Sequence, residues 1–567
     1  MNKQEKRKKI SIGVEDFKEI IDKDGYFVDK TLMIKKLIES QAKVTLFTRP
    51  RRFGKTFNQF MIRRFLEDER TRSGERIDNG HLFDGLKIAE CGEEILKHQQ
   101  QYPVIFLTLK SAKQPTYEMA YACLVDEICK EFERHSYVLQ GEMSQRNREI
   151  FERISLGKGS DDEYATAFAF LSECLFKYHK KKAIILIDEY DVPLENAYFR
   201  GFYDEMIDFI RSLFESALKT NPYLEKSVIT GCLRISKESI FTGLNNLETD
   251  SVLHTRFGDS FGFTQEEVEG LLAYYDLSEQ LEEVKKWYDG YLFNDFEIYN
   301  PWSILKYVND RKDHVTEFAL PYWSNTSSNS IVREMVGEAD EMAKADLETL
   351  MAGGTIEKQV HEDITYGDIH QTQDNLWNFL FFTGYLKKVG ERTVGNNLWL
   401  EMKIPNIEIA TIYENSISYW FEQRMKQTDR SPLVRALETG DCEAAEDFIN
   451  RQLADTISYY DYAETFYHGF MAGLLVNIGG YRVKSNRESG NGRPDIVMTE
   501  SKFRGRAMIL ELKISDTIQG MEKKCEEALT QMKEQKYESS LEDDGYQPIL
   551  KYAICFFKKG CMVKKAE

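Results

Sequence analysis

Short, nearly continuous apolar runs alternate with amphipathic stretches over residues 1 to about 270. Four of these runs read as strands: Val44–Phe47, Val104–Leu109, Ile184–Ile187 and Ser227–Thr230. They lack strict apolar–polar alternation, as parallel strands covered on both faces do. Strands spaced by helical stretches predict an α/β layer domain with a parallel sheet. From about 271 to 450 the pattern turns mainly helical and acidic, as in Glu282–Gly290 and Glu338–Ala352. From about 455 it is mixed again. A helix is expected over 461–475, strands near 480–485, 494–498 and 507–514, a helix over 518–537 and a strand over 549–556. A chain of 567 residues is too long for one core, so three domains are expected, at 1–270, 271–454 and 455–567.

Charge and cysteine usage narrow the function classes. A net charge of −19 argues against a general polyanion binder and leaves only a local basic groove open. The basic runs Lys6-Arg-Lys-Lys9, Lys558-Lys559 and Lys564-Lys565 read as solvated tails. Nine scattered cysteines, with no C-x-x-C pair, argue against a zinc site or disulfide framework and for a reducing cytoplasm. No apolar run approaches membrane-spanning length, and the basic N-terminus is not followed by the apolar segment of a secretory signal.

The chemistry begins at Ala42–Thr48, a strand that runs into Arg49-Pro-Arg-Arg-Phe-Gly-Lys-Thr56 and then a helix from Phe57 to about Glu67. Strand, loop and Gly-Lys-Thr at a helix start form the P-loop context. Backbone N–H groups over Arg51, Arg52, Phe53 and Gly54 would cradle phosphate oxygens at the helix N-terminus. Lys55 would neutralise the β and γ phosphates of ATP, and the Thr56 hydroxyl would ligate Mg²⁺. Arg49 stands where the motif has its first glycine, which leaves a chance Gly-Lys-Thr in a basic loop as the alternative. A second element supports the motif. Ala183–Asp191 is an apolar strand ending in acids, in which Asp188 would hold Mg²⁺ and Glu189 would polarise water. Asp191 reads as a turn or structural acid. A third strand ends at Thr230, and Thr230 and Arg234 are candidates to sense the γ-phosphate. The stretch between Lys55 and Asp188 exceeds one β–α crossover and is expected to hold extra helices for assembly or partner binding.

Near the C-terminus, Asp495 starts a strand, and Glu511 and Lys513 lie two apart on the next, so both leave the same face. Asp495 and Glu511 would hold one or two Mg²⁺ ions, with Mn²⁺ as a substitute, for attack on a phosphodiester. Lys513 would position the water and counter the developing charge. The alternative is an exposed edge strand with an ordinary salt-bridging surface.

Two resemblances follow from these residues. Tyr26-Phe-Val-Asp-Lys-Thr31, Arg49–Thr56, Leu186–Asp191, Ile229–Ser236, Phe261–Thr264 and Trp287–Tyr291 resemble the bacterial AAA-ATPase-like family over roughly residues 10 to 300, where arginine in place of the first glycine is usual. This implies a P-loop NTPase fold that binds ATP and Mg²⁺. Asp29 and Lys30 match the family pattern and are expected to form a structural ion pair. The C-terminal residues of about 455 to 560 resemble the PD-(D/E)XK nuclease superfamily, in the version commonly joined to such an ATPase. That implies an α/β restriction-endonuclease-like domain acting on nucleic acid. Within it Glu464 is the candidate to complete the metal shell, and His468 and Gln531 also fit. The loop 486–493, with Arg487 and Arg493, is either an approach to nucleic acid or a hairpin turn. Between the two domains a helical connecting region with a lid or winged-helix-like part is expected. Two readings remain open for the pairing: an ATP-gated nuclease of the defence or mobile-element kind, or an ATP-dependent switch whose C-terminal domain binds without cleaving.

Overall fold

The structure, a computed structural model, describes residues 7–234, 240–241, 246–316, 318–323, 330–362, 373–454, 464–476, 478–485, 494–502 and 504–566. The chain forms two compact units, 1–327 with 357–410 and 328–356 with 411–567, so the stretch 271–454 contributes to both.

The first unit is built on a parallel sheet of β1 (Val44–Thr48), β2 (Val104–Thr108), β3 (Ala183–Asp188), β4 (Leu224–Gly231) and β5 (Leu247–Asp250), in the order β2-β3-β4-β1-β5. All four expected strands are present. β1 and β3 are buried at every position, which explains their unbroken apolar runs. The register sets Phe47 beside Thr230, Ile187 beside Ile229 and Thr108 beside Asp188. The strands therefore end at one carboxyl edge, where open α/β sheets bind ligands. Helix α1 (Lys55–Leu66) leaves that edge from β1. The long stretch before β3 carries β2 and the helices Tyr117–Arg134, Gln145–Ser155 and Ala167–His179.

Two small sheets follow. One pairs β6 (Phe263–Thr264), β7 (Tyr291–Phe293) and β8 (Phe296–Tyr299), the other β9 (Ile356–Val360), β10 (Lys387–Val394) and β11 (Asn397–Lys403). The described part of 271–454 is mainly helical, as expected, and these short strands are additions to it. The hairpin β10–β11 turns at Gly395, with φ +62°, and most of β10 is exposed, so apolar alternation is missing from its sequence.

The second unit holds a sheet of β12 (Tyr481–Ser485), β13 (Ile496–Glu500), β14 (Ala507–Ile514), β15 (Ile549–Phe557) and β16 (Gly560–Lys565), ordered as in the chain. Only β14 and β15 are parallel, and α3 (Met521–Glu534) makes the crossover that such a pair needs. Helix α2 (Glu464–Leu475) comes before the sheet. The expected α-β-β-β-α-β order is present, with β16 added; residues 461–463 of the expected first helix lie outside the described residues. Leu510 and Leu512 pack with Met471 and Leu474 of α2, while Ala507 and Ile509 pack with Cys525 and Ala528 of α3. β14 is thus a central strand covered on both faces, which rules out the exposed edge strand. Among the described residues no helix is long and apolar enough to cross a membrane.

Candidate active sites

At the first sheet's carboxyl edge, Asp188 is fully buried. Its Oδ1 accepts the Thr230 hydroxyl at 2.5 Å and its Oδ2 the Thr56 hydroxyl at 2.7 Å. No cation pairs with it among the described residues. Burial, then the neighbouring charge of Glu189, pushes its carboxyl up to about 6. A buried carboxylate short of positive charge, beside a threonine hydroxyl, fits a hard divalent cation such as Mg²⁺. Lys55 is also buried; its ammonium donates to the carbonyls of Arg49 at 2.8 Å and Pro50 at 2.9 Å, closing the loop on itself. Gly54 sits at φ +82°, with open space where a side chain would begin, so a ligand can approach the backbone there.

A cavity of about 430 Å³ opens at this loop, lined by residues 51–56 and Glu189 and completed by apolar side chains such as Phe57, Phe263 and Trp302. That volume lies in the usual range for small-molecule sites. Glu189 adopts φ +52°, a strained conformation for a residue with a side chain, costing on the order of 1 kcal/mol and typical of residues held for a function. Arg51 is ion-paired with Glu195, and the Arg52 guanidinium lies 4.6 Å from the Trp302 ring centre. The Phe53 side chain is buried against Tyr291 and Phe293, at ring separations of 4.9 and 5.2 Å. It anchors the loop to the hairpin β7–β8.

The departure at Arg49 now has a physical reason. Its buried guanidinium donates to Asp250 Oδ1 at 2.5 Å and to the carbonyls of Asp250 at 2.8 Å and Thr48 at 3.0 Å. It joins β1 to β5 from inside the protein. Arg234 lies 3.6 Å from Glu362 and is not among the residues lining the cavity. Lys30 does form an ion pair, but with Glu267 at 2.6 Å; Asp29 instead accepts the backbone N–H groups of Thr31 and Lys87. Asp191, read from sequence as a turn acid, lines the cavity and accepts the N–H groups of Cys232 at 2.7 Å and Leu233 at 3.3 Å. With the Tyr190 hydroxyl donating to the Leu233 carbonyl at 2.5 Å, it ties the turn after β3 to the end of β4. Gly231 is required there, because a Cβ would lie 2.4 Å from the Tyr190 ring.

In the second unit the pairing of Ile496 with Leu510 sets Asp495 and Glu511 side by side at the head of β13 and on β14. Asp495 Oδ2 accepts the Leu512 N–H at 2.8 Å. Glu511 Oε1 accepts Gln531 Nε2 at 2.8 Å and Lys513 Nζ at 3.2 Å, while its Oε2 is buried without a hydrogen-bond partner. Lys513 also donates to Gln531 Oε1 at 2.8 Å, and Gln531 donates to the Tyr537 hydroxyl at 2.9 Å. A buried carboxylate oxygen with no partner, next to a second carboxylate, fits a bound cation. Sequence reasoning missed Tyr537, because nothing in its spacing marks it as the support of Gln531. Glu464 opens α2, but its side chain lies outside the described residues, and among those residues no third acid, histidine or cysteine joins the pair. His468 Nε2 lies 3.4 Å from the Ser485 hydroxyl. The loop 486–493 lies outside the described residues.

Residues 11–241 match the family model described as a predicted AAA-ATPase, and residues 462–566 match that of the PD-(D/E)XK nuclease superfamily. The chain joins an AAA-ATPase-like domain to a PD-(D/E)XK nuclease superfamily domain. A protein of Azotobacter chroococcum mcd 1, described as an uncharacterized protein in the vnfD 5' region, is 25% identical over 553 residues, spanning 94% of this chain and 93% of the relative. That similarity runs through both domains.

The nuclease-like domain's carboxylate pair has a pH signature. Burial, then the charge of Asp495, pushes the Glu511 carboxyl from its ordinary 4.5 up to about 7. Between those values the folded chain holds a proton that the unfolded chain has released. Stability from this group is therefore full below about 4.5 and is lost as pH rises through about 7. Glu511→Gln removes the loss, so the variant gains melting temperature relative to metal-free wild type from about pH 5 to about pH 8. Scanning calorimetry across that range checks it; parallel profiles for the two proteins would show that Glu511 titrates normally.

Proposed function

We propose that this protein hydrolyses ATP at the Lys55–Asp188 site and cleaves nucleic-acid phosphodiesters at the Asp495–Glu511 site, with nucleotide state controlling cleavage. The observation that carries the nuclease half is the partnerless Glu511 oxygen beside Asp495, with Lys513 held against the same carboxylate. Asp495 and Glu511 would hold Mg²⁺ or Mn²⁺, and Thr56 and Asp188 would hold Mg²⁺ with ATP. Such an ion, when bound, lowers the pKa of water and offsets charge on phosphate oxygens. Lys513 stands ready to orient water or to meet negative charge growing on the phosphate, and Gln531 fixes its ammonium.

In the ATPase half, Lys55 exchanges the Arg49 and Pro50 carbonyls for phosphate oxygens. Glu189, at the cavity wall, accepts a hydrogen bond from the attacking water. Glu189→Gln is expected to bind ATP normally and to hydrolyse it about 10²–10⁴-fold more slowly, the range for losing a general base. Equilibrium binding and phosphate release measure the two effects; normal turnover would assign the role to another acid, with Asp191 next in line.

The reading as a whole is tested by incubating purified protein, with and without ATP and Mg²⁺ or Mn²⁺, with a panel of DNA and RNA. Metal-dependent cleavage that responds to ATP supports it. A domain that only binds nucleic acid or protein gives no cleavage with any metal.

A further inference from the structure

The carboxylate pair has a companion feature on the same face of its sheet. Alternate residues of β13 and β14 divide between two cores: Ile496, Met498, Leu510 and Leu512 pack on one side, Val497, Ala507 and Ile509 on the other. Glu511 and Lys513 share the second side by period two, and Gln531 of α3 meets them there. The cross-strand pairs Arg482–Thr499 and Lys484–Val497 place Arg482 and Lys484 on that side as well. Both are exposed, whereas Tyr481 and Val483 turn to the opposite core.

Arg482 and Lys484 are exposed basic residues in a chain that is acidic overall. The protein carries a net charge of −19. Several cations of the same domain are engaged: Lys513 with Glu511, Lys551 with Glu538, Lys564 with Glu522 and Arg506 with Glu438. Arg482 and Lys484 have no ion-pair partner among the described residues. Glu500 stands opposite Tyr481, with the side-chain parity of the other face. β12 is also an outer strand of the sheet, while α3 packs on β14, β15 and β16. Two residues apart on a strand, the two cations are separated by about 6.8 Å of backbone rise, of the same order as successive phosphates along a nucleic-acid strand.

We propose that Arg482 and Lys484 form a backbone track that delivers a nucleic-acid strand to Asp495 and Glu511, gripping its phosphates without reading its bases. The proposal rests on the nuclease reading and adds to it the surface that holds the substrate. Point charges on an exposed strand engage phosphates electrostatically, so the contact is sequence-independent and weakens with salt. Thr499, beside Arg482, adds a hydroxyl to the same row.

The test is fluorescence anisotropy of labelled oligonucleotides, single- and double-stranded, with full-length protein in Ca²⁺ across a salt series. Wild type is compared with Arg482→Ala/Lys484→Ala, with Glu511→Gln, and with Arg435→Ala as a control for loss of an exposed cation elsewhere. The double variant should bind more weakly, and its log K against log salt slope should fall by about 1.4 for single strands or 1.8 for duplex, the loss of two phosphate contacts. ATP turnover and melting temperature should match wild type, and Arg435→Ala should keep the wild-type slope. An unchanged slope and affinity in the double variant overturns the track and leaves the nuclease reading standing. Wild type that binds no nucleic acid, with Glu511→Gln equally silent, overturns both.

Discussion

Lys55→Ala is expected to abolish ATP hydrolysis and to weaken triphosphate binding by roughly ten- to a hundredfold, the scale of one lost charge-assisted contact of about 1.5–3 kcal/mol. The lysine is buried and its ammonium donates to two loop carbonyls, which the proposed reading has it exchange for phosphate oxygens. Of the other lysines lining the cavity, Lys110 is ion-paired with Glu15 and Lys30 with Glu267. Removing the ammonium also releases two loop hydrogen bonds, so a second variant, Lys55→Met, keeps the apolar stem while removing the charge. Equilibrium binding, phosphate release and circular dichroism on both variants check the effect. Unchanged turnover in a folded variant would remove the P-loop assignment.

Glu511→Gln is expected to abolish nucleic-acid cleavage and to leave ATP turnover intact. The amide keeps the shape and a carbonyl oxygen for Lys513 and Gln531, but it replaces an anionic oxygen that has no protein partner. Metal affinity is expected to drop with that charge, and excess Mn²⁺ to rescue partly an Asp495→Ala or Glu511→Ala variant, because it binds oxygen ligands more tightly than Mg²⁺ does. Lys513→Ala behaves differently. Cleavage is expected to be lost with metal binding nearly unchanged, because an ammonium is not a ligand. Calorimetric metal titration beside a cleavage assay separates the two kinds of loss. A Lys513→Ala variant that loses metal binding as completely as Glu511→Ala would contradict these roles.

The sequence made some features plain for reasons the structure explains. β1, β3 and β4 were visible because parallel burial on both faces produces unbroken apolar runs. The Glu511–Lys513 pair was visible because strand period places the two on one face. β5 was hidden: Leu-Glu-Thr-Asp has no strand signature, and it is held by backbone pairing with β1 and by Arg49 on Asp250. The role of Arg49 was hidden for the same reason, since its partner lies 201 positions away in the chain. In the loop motif it reads as a missing glycine, while in the fold it is an inward-facing brace. Tyr537 and Asp191 act through tertiary contacts with Gln531, Cys232 and Leu233 that no local pattern records. The small sheets of the middle region escaped because their strands are short or largely exposed.

Each proposed chemistry has its own acids: Asp188 and Glu189 in one unit, Asp495 and Glu511 in the other. Neither proposed chemistry draws on the other's side chains, so the two are expected to be separable by mutation. Control by nucleotide is a further matter, because ATP shifts an equilibrium only through different affinity for two states. The most direct measurement is therefore cleavage and ATP turnover on the same folded preparations of wild type, Lys55→Ala and Glu511→Gln, with and without ATP. The expected result is cleavage lost and turnover kept in Glu511→Gln, and turnover lost and cleavage altered in Lys55→Ala. Wild-type cleavage persisting in Glu511→Gln would contradict the nuclease site, and cleavage indifferent to both ATP and Lys55→Ala would contradict control by nucleotide.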